Sequence, residues 1–278
     1  MECQEPSVKD KNYNNAKHSV VLEHAQNSTS GSNHSSEKSG ILTFEKIVLN
    51  EKFFYWTWRD LPFLPYAWLD EKDLKTLPKP FLLEEIHPDC SIGFEEKDPE
   101  YATNIIKLED NFDKLNLDSS LRKDLKRVEK KNVDVRIAYN EKDALDKSKK
   151  WFLKLWNEDK EDFARRLELW KEKCYTISAY LNEELIAVHI AMKEKDTIFY
   201  FGCWWNRKYK SLSIPTFLLM KDVERAITSG MKYYDLEIGN EAYKKKWGVI
   251  EKPTKYYAVL TKELADILGI EEYVKIKA

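Results

Sequence analysis

Residues 175–238 carry the pattern that most narrows the fold: three strands in close succession, an apolar helix, then another strand. Residues 175–181 break at Asn182-Glu183 into 185–192, and these break at Lys195-Asp196 into 197–204. Two-residue polar gaps select tight hairpins, so the three strands form a meander. Residues 217–228 then present apolar side chains at helical spacing. Pro215 sits where a first helical residue would, and Gly230 is placed to stop the helix. Residues 233–238 read as a strand, followed by a turn at Gly239-Asn240 and a short basic helix over 241–247. A meander, a crossover helix and a further strand make an α+β plan, with a central mixed sheet flanked by helices. The turn between meander and helix then lies beside the open end of the sheet.

Upstream, Asp118-Ser119-Ser120 supplies a helix N-cap ahead of Leu121, Leu125 and Val128. A strand is expected over 133–139, and helices over 141–157 and 159–173. Residues 41–114 read as short strands (41–49, 81–86, 91–94) around two aromatic stretches, 53–58 and 61–68. Residues 255–260 are the last strand candidate. Residues 1–40 are rich in Ser, Asn, His and Lys, and Val20, Val21 and Leu22 are nearly their only apolar cluster. Such a composition buries too little surface to offset ordering entropy, so a disordered tail is expected. The organisation read from the chain is thus a tail over 1–40, an extension or degenerate half-domain over 41–117, and a main domain over 118–278.

Composition removes several function classes. The 46 basic and 48 acidic side chains nearly cancel, which argues against a bulk electrostatic binder of nucleic acid. Only 8 residues are glycine, and neither G-x-G-x-x-G nor G-x-x-x-x-G-K-[ST] occurs, so a glycine-loop nucleotide site is not expected. No apolar run approaches the roughly 18–20 residues of a membrane span. Met1-Glu2-Cys3-Gln4-Glu5 lacks the positive start and apolar stretch of a secretory signal. Cys3, Cys90, Cys174 and Cys203 show neither metal nor redox spacing, so reduced thiols in a cytoplasmic protein are expected. No Ser/His/Asp or Cys/His constellation is recognisable along the chain.

Three motifs carry a family resemblance. They are Ser120-Leu121-Arg122-Lys123-Asp124-Leu125-Lys126-Arg127, the hairpin stretch from Ala179 to Ala187, and Tyr234-Asp235-Leu236-Glu237-Ile238-Gly239-Asn240-Glu241-Ala242-Tyr243-Lys244-Lys245-Lys246-Trp247-Gly248. Together they resemble the GCN5-related N-acyltransferase (GNAT) superfamily, in the branch of cellulose-biosynthesis-type acetyltransferases and Fem peptidyltransferases. The third is similar to the family pattern Asp-Phe-Gly-x-Gly-x-x-x-Tyr-Lys. The resemblance implies a GNAT-like sheet and transfer of an acyl group, acetyl first, from acyl-CoA to an amine by direct attack. It places the oxyanion-binding N–H in 187–191. Two departures stand out: Ser213-Ile214-Pro215-Thr216 where relatives have Ser-Pro-Gly-Thr, and Glu237 where they tend to have glycine.

The residues divide into roles on that basis. Asp235 and Glu237, two apart on one strand and so on one face, are candidate proton acceptors. Lys244 matches the family lysine and is a candidate for neutralising negative charge, with solvation as one of three consecutive lysines the plainer alternative. Tyr243 is a candidate proton donor to a leaving thiolate, or a packing residue. Ser213, Thr216, Lys208 and Lys210 surround a helix N-terminus, a natural site for a cofactor pyrophosphate. Arg122 and His189 are candidates for acceptor binding. The acceptor is expected to be an amine-bearing small molecule, an amino sugar or a peptide, and no metal is expected. Two alternatives stand beside this: a Fem-like peptidyltransferase using aminoacyl-tRNA, disfavoured by the balanced charge, and a non-catalytic binding protein on a degenerate GNAT fold, favoured by Pro215 and Glu237.

Overall fold

The computed structural model describes residues 24–26, 43–49, 54–58, 74–75, 77, 79–141, 143–156 and 160–276. The expected tail over 1–40 lies outside them except at one point. There His24–Gln26 (β1) pairs antiparallel with Thr43–Val48 (β2), which corrects the expectation of disorder at those three residues. The aromatic stretch 61–68 also lies outside the described residues. By compactness the chain divides in two: an inserted unit of residues 103–252, and a split unit formed by the chain before and after it.

The split unit begins with β1, β2, Phe54–Trp58 (β3), Phe81–Ile86 (β4) and the short Phe94–Glu95 (β5). The inserted unit follows. It runs through Ala102–Lys107 (β6), Ser119–Lys131 (α1), Arg136–Tyr139 (β7), Asp143–Trp156 (α2) and Lys160–Lys173 (α3). Then come Tyr175–Leu181 (β8), Glu184–Glu194 (β9), Thr197–Trp205 (β10), Ile214–Thr228 (α4), Tyr233–Ile238 (β11), Ala242–Lys245 (α5) and Ile250–Pro253 (β12). The chain returns to the split unit as Lys255–Leu260 (β13), Lys262–Leu268 (α6) and Val274–Lys275 (β14). The sequence reading kept 255–260 with the main domain, but β13 pairs antiparallel with β4 and parallel with β14. Val259 packs with Phe81 and Leu83 on one face of this sheet, while Ala258 and Leu260 pack with Leu82 and with Leu264 of α6 on the other.

The inserted unit holds a seven-stranded mixed sheet in the order β12-β6-β11-β10-β9-β8-β7. Both hairpins form where the two-residue gaps put them. Asn182 and Glu183 adopt φ of 48° and 61°, the left-handed pair that suits the twist of flanking strands. α4 crosses over so that β11 lies parallel to β10. Alternation sorts the strands' side chains. Ala187, His189 and Ala191 of β9 face α1 and α4, whereas Val188 and Ile190 face α2 and α3. The second face carries an aromatic cluster, with Phe152 and Phe163 rings 4.5 Å apart and Trp204 4.7 Å from Phe152. β6 was not expected as a strand. It is buried on both faces through Ile106, which erases the polar–apolar alternation that marks a half-exposed strand.

Candidate active site

The parallel ladder between β10 and β11 is short. It joins Thr197–Phe199 to Tyr233–Asp235 and stops, though β10 continues to Trp205 and β11 to Ile238. Each strand is irregular just beyond that point. β10 has a bulge between Tyr200 and Gly202, with Gly202 at φ +135°. β11 shifts register against β6 between Asp235 and Ile238, and Glu237 stands there at φ +66°. An L-residue in this left-handed region costs roughly 1–2 kcal/mol. The glycine that relatives tend to carry at this position therefore answers to a backbone bend, which this chain keeps with a glutamate. The same bend corrects the expectation that Asp235 and Glu237 simply share a strand face, because regular alternation ends between them.

Local polar groups brace the bend. Asp235 is 1% exposed, and its Oδ1 accepts from the Thr103 hydroxyl at 2.6 Å and from the Glu237 N–H at 2.8 Å. The Asn104 amide donates to Glu237 O at 3.0 Å and to Gly239 O at 2.7 Å. Lys244 is buried, and its Nζ donates to Ile238 O at 2.6 Å and Glu237 O at 3.3 Å, and lies 2.9 Å from Glu241 Oε2. The structure thus brings Asp235, Glu237 and Lys244 together, with Asp235 Oδ1 and the Lys244 ammonium engaged by the chain itself. Glu237 keeps partial exposure. Tyr243 is half-buried against the core on the α4 side.

The start of α4 lacks a side-chain cap. Ser213 is the N-cap residue, yet it adopts φ 52°, ψ 42° and its side chain makes no cap hydrogen bond. Its N–H donates to Lys210 O at 3.2 Å, closing the 3-10 turn Arg207–Leu212. Thr216 is half-buried, Lys208 and Lys210 are exposed, and the Arg207 guanidinium stacks on Trp205. Lys131 and the Asn132 amide hold the carbonyls of Ser211 and Leu212 from the end of α1. Arg122 donates to the carbonyl of Leu115, so at least part of its guanidinium braces the entry to α1.

His189 lies on the other face of the sheet from Asp235, inside a buried network. Its Nε2 is 2.9 Å from Asp222 Oδ2 on α4. Tyr234 donates to the same oxygen at 2.7 Å, and Tyr175 donates to both carboxylate oxygens, at 3.0 and 2.9 Å. Burial, then the Asp222 charge, pushes both phenols well above their ordinary range, so they stay protonated donors. The Arg225 guanidinium stacks on Tyr139 and Tyr175. Sequence reasoning missed Asp222, Tyr175 and Tyr234, and also Thr103 and Asn104. Asp222 had left a signal: it is a carboxylate set between Leu219 and Ala226 on the apolar stripe of α4. Thr103 and Asn104 lay in a strand that had not been recognised.

Residues 117–245 match the family model of the acetyltransferase (GNAT) domain. These residues have a GNAT-like fold. The matched span lies within the inserted unit and ends on the short helix α5, with the parting strands and the α4 crossover inside it. Solved structures extend the likeness of fold across both units. FemX aligns over 90% of this chain and 90% of its own, with 11% identity and a TM-score of 0.57. The C-terminal domain of a protein assigned as a lysylphosphatidylglycerol synthetase, from Agrobacterium fabrum, aligns over 84% and 85%, with 13% identity and a TM-score of 0.56. The L-PGS of Bacillus licheniformis aligns over 77% and 79%, with 10% identity and a TM-score of 0.51. At these identities the likeness is one of fold. No curated protein sequence matches the chain. Among the described residues, no helix is long and apolar enough to cross a membrane, and no group of three or more His, Cys, Asp or Glu is placed to hold a metal ion.

Proposed function

We propose that the chain is an N-acyltransferase that moves an acyl group, acetyl first, from acyl-CoA to an amine. The observation that carries this is the parting of β10 and β11 beyond Phe199 and Asp235, inside a GNAT-like fold. An extended donor laid in that gap meets strand edges with which it can pair, as an added strand would. The oxyanion donor is reassigned. Every residue of 187–191 is paired on both sides, to β8 and to β10, so those N–H groups belong to the ladder. The N–H groups at the Tyr200–Gly202 bulge are the better candidates, because a bulge breaks that regular pairing.

Glu237, partly exposed at the bend, is the candidate acceptor of the amine proton, and Asp235 and Lys244 are positioning residues that fix the bend. Lys208 and Lys210, with the start of α4 near Thr216, would take the negative charge of a pyrophosphate. Calorimetric titration with acetyl-CoA, longer acyl-CoAs and desulfo-CoA tests this, and saturable heat with desulfo-CoA is expected. Absence of binding by all three at any usable concentration would sink the proposal. The acceptor class stays as expected: a small amine, an amino sugar or a peptide.

A second reading, an aminoacyl-tRNA-dependent peptidyltransferase, is favoured by Pro215. It removes one N–H from the first turn of α4 while Arg207, Lys208 and Lys210 remain exposed beside it. A salt-sensitive mobility shift of tRNA, without binding of any CoA, would choose this reading over the first.

A further inference from the structure

The two sides of α1 differ sharply in chemistry. Leu121, Leu125 and Val128 are buried in the core that α4 also lines. At about 3.6 residues per turn, Lys123, Lys126 and Lys130 fall on the opposite side with Arg127 beside them, and all four are exposed. Among the described residues no carboxylate pairs with Lys123, Lys126 or Lys130. Of the acids nearby, Glu129 takes Lys221 of α4 at 2.9 Å, Asp124 lies 3.4 Å from Arg127, and Asp134 is exposed past the helix end. Several other lysines of this unit are neutralised: Lys114 by Asp110, Lys147 by Asp143, Lys171 by Asp146 and Glu168, Lys232 by Asp196. The row on α1 is thus a local cationic surface in a chain of near-zero net charge.

The row ends at an apolar tip. Val133, three residues past Lys130, is 80% exposed, more than any other large apolar side chain among the described residues. The 3-10 turn Arg207–Leu212 is tied to this same end. Lys131 Nζ donates to Ser211 O at 3.2 Å and the Asn132 amide to Leu212 O at 2.8 Å, which brings exposed Lys208 and Lys210 alongside.

We infer that this face of α1, with Val133 at its end, docks on a bilayer surface bearing anionic lipid. Clustered lysines on one helix face are attracted to anionic headgroups, and a protruding apolar side chain enters the boundary with the acyl chains. Both halves of the surface are used there. A nucleic acid would use the charge alone. The row is the convex side of a helix rather than a groove, and residues 119–134 contain no aromatic ring on which a base could stack. Acids elsewhere on the molecule oppose docking little, because charges more than roughly 8–10 Å apart are screened at physiological salt. The inference goes beyond the acyl-transfer reading and does not require it.

The test is co-sedimentation of the full chain with vesicles of phosphatidylcholine alone and with phosphatidylserine mixed in. Retention only where phosphatidylserine is present is expected, falling as salt is raised. Each lysine near such a surface is worth roughly fivefold in partitioning, so Lys123→Gln, Lys126→Gln and Lys130→Gln together should lose about a hundredfold. Lys107→Gln, Lys150→Gln and Lys154→Gln remove the same charge from exposed positions elsewhere and should lose far less. Val133→Ser should weaken binding a few-fold, at high salt as at low. Absence of retention on phosphatidylserine at low salt overturns the inference, and so does an equal loss from the two triple variants. Binding of a duplex RNA through the α1 row, by a chain that vesicles do not hold, would put nucleic acid in place of the membrane. Calorimetry with desulfo-CoA keeps the two readings apart. Vesicle binding without desulfo-CoA binding supports docking and removes only the proposed donor, and the reverse result removes only docking.

Discussion

Gly248 has no room for a side chain: at φ +66°, a Cβ would come 1.9 Å from Asn116 O. The backbone cannot withdraw easily, because Asp118 N–H donates to Lys246 O nearby at 2.9 Å. Gly248→Ala is therefore expected to lose about 2–4 kcal/mol in urea denaturation, from backbone strain and overpacking together. Lys244 makes a different case. The sequence shows three consecutive lysines, the first a candidate for neutralising negative charge or a solvated member of the run. Its ammonium instead ties the carbonyls of Glu237 and Ile238 to Glu241. Lys244→Met should cost about 2–3 kcal/mol, since it strands those partners. An unchanged melting temperature would refute the bracing role. Nothing in a run of like charges says which member faces inward, so this was not legible before the strand end and α5 were in place.

At the scale of elements, what the sequence disclosed followed from local chemistry. The hairpins were legible because two polar residues between apolar strands leave one geometry, and α4 because Pro215 and Gly230 mark its ends. The bulges on β10 and β11 were not, since one extra residue in a strand leaves the run looking unbroken. A serine ahead of a helix suggests a cap, but the left-handed backbone of Ser213 carries the side chain elsewhere. Ser213→Gly should then raise stability by about 0.5–1 kcal/mol, measured as a higher thermal midpoint, because glycine adopts this backbone without a Cβ penalty. A fall would mean that the hydroxyl is used.

For the whole molecule, near-zero net charge is laid out as exposed pairs. Hydrogen bonds from Lys114, Lys147, Lys232 and Lys97 hold Asp110, Asp143, Asp196 and Glu271 below the usual carboxylate range, and Ser120 does the same for Asp118. A lowered folded pKa stabilises above the unfolded value, and that stabilisation is lost as pH falls through the folded one. The urea midpoint should therefore drop below about pH 4, by a small amount because these groups are exposed. Added salt should shrink the drop; a drop that ignores salt would point to buried groups instead.

The pairing of β13 with β4 also sets an order in time. Residues 43–95 emerge first during synthesis, but their sheet cannot close until residues 255–275 have followed. The inserted unit between them has all of its strands by residue 253 and can finish first. The early strands must wait with β4 lacking its neighbour, and that interval is when this chain is most exposed to wrong edge pairing.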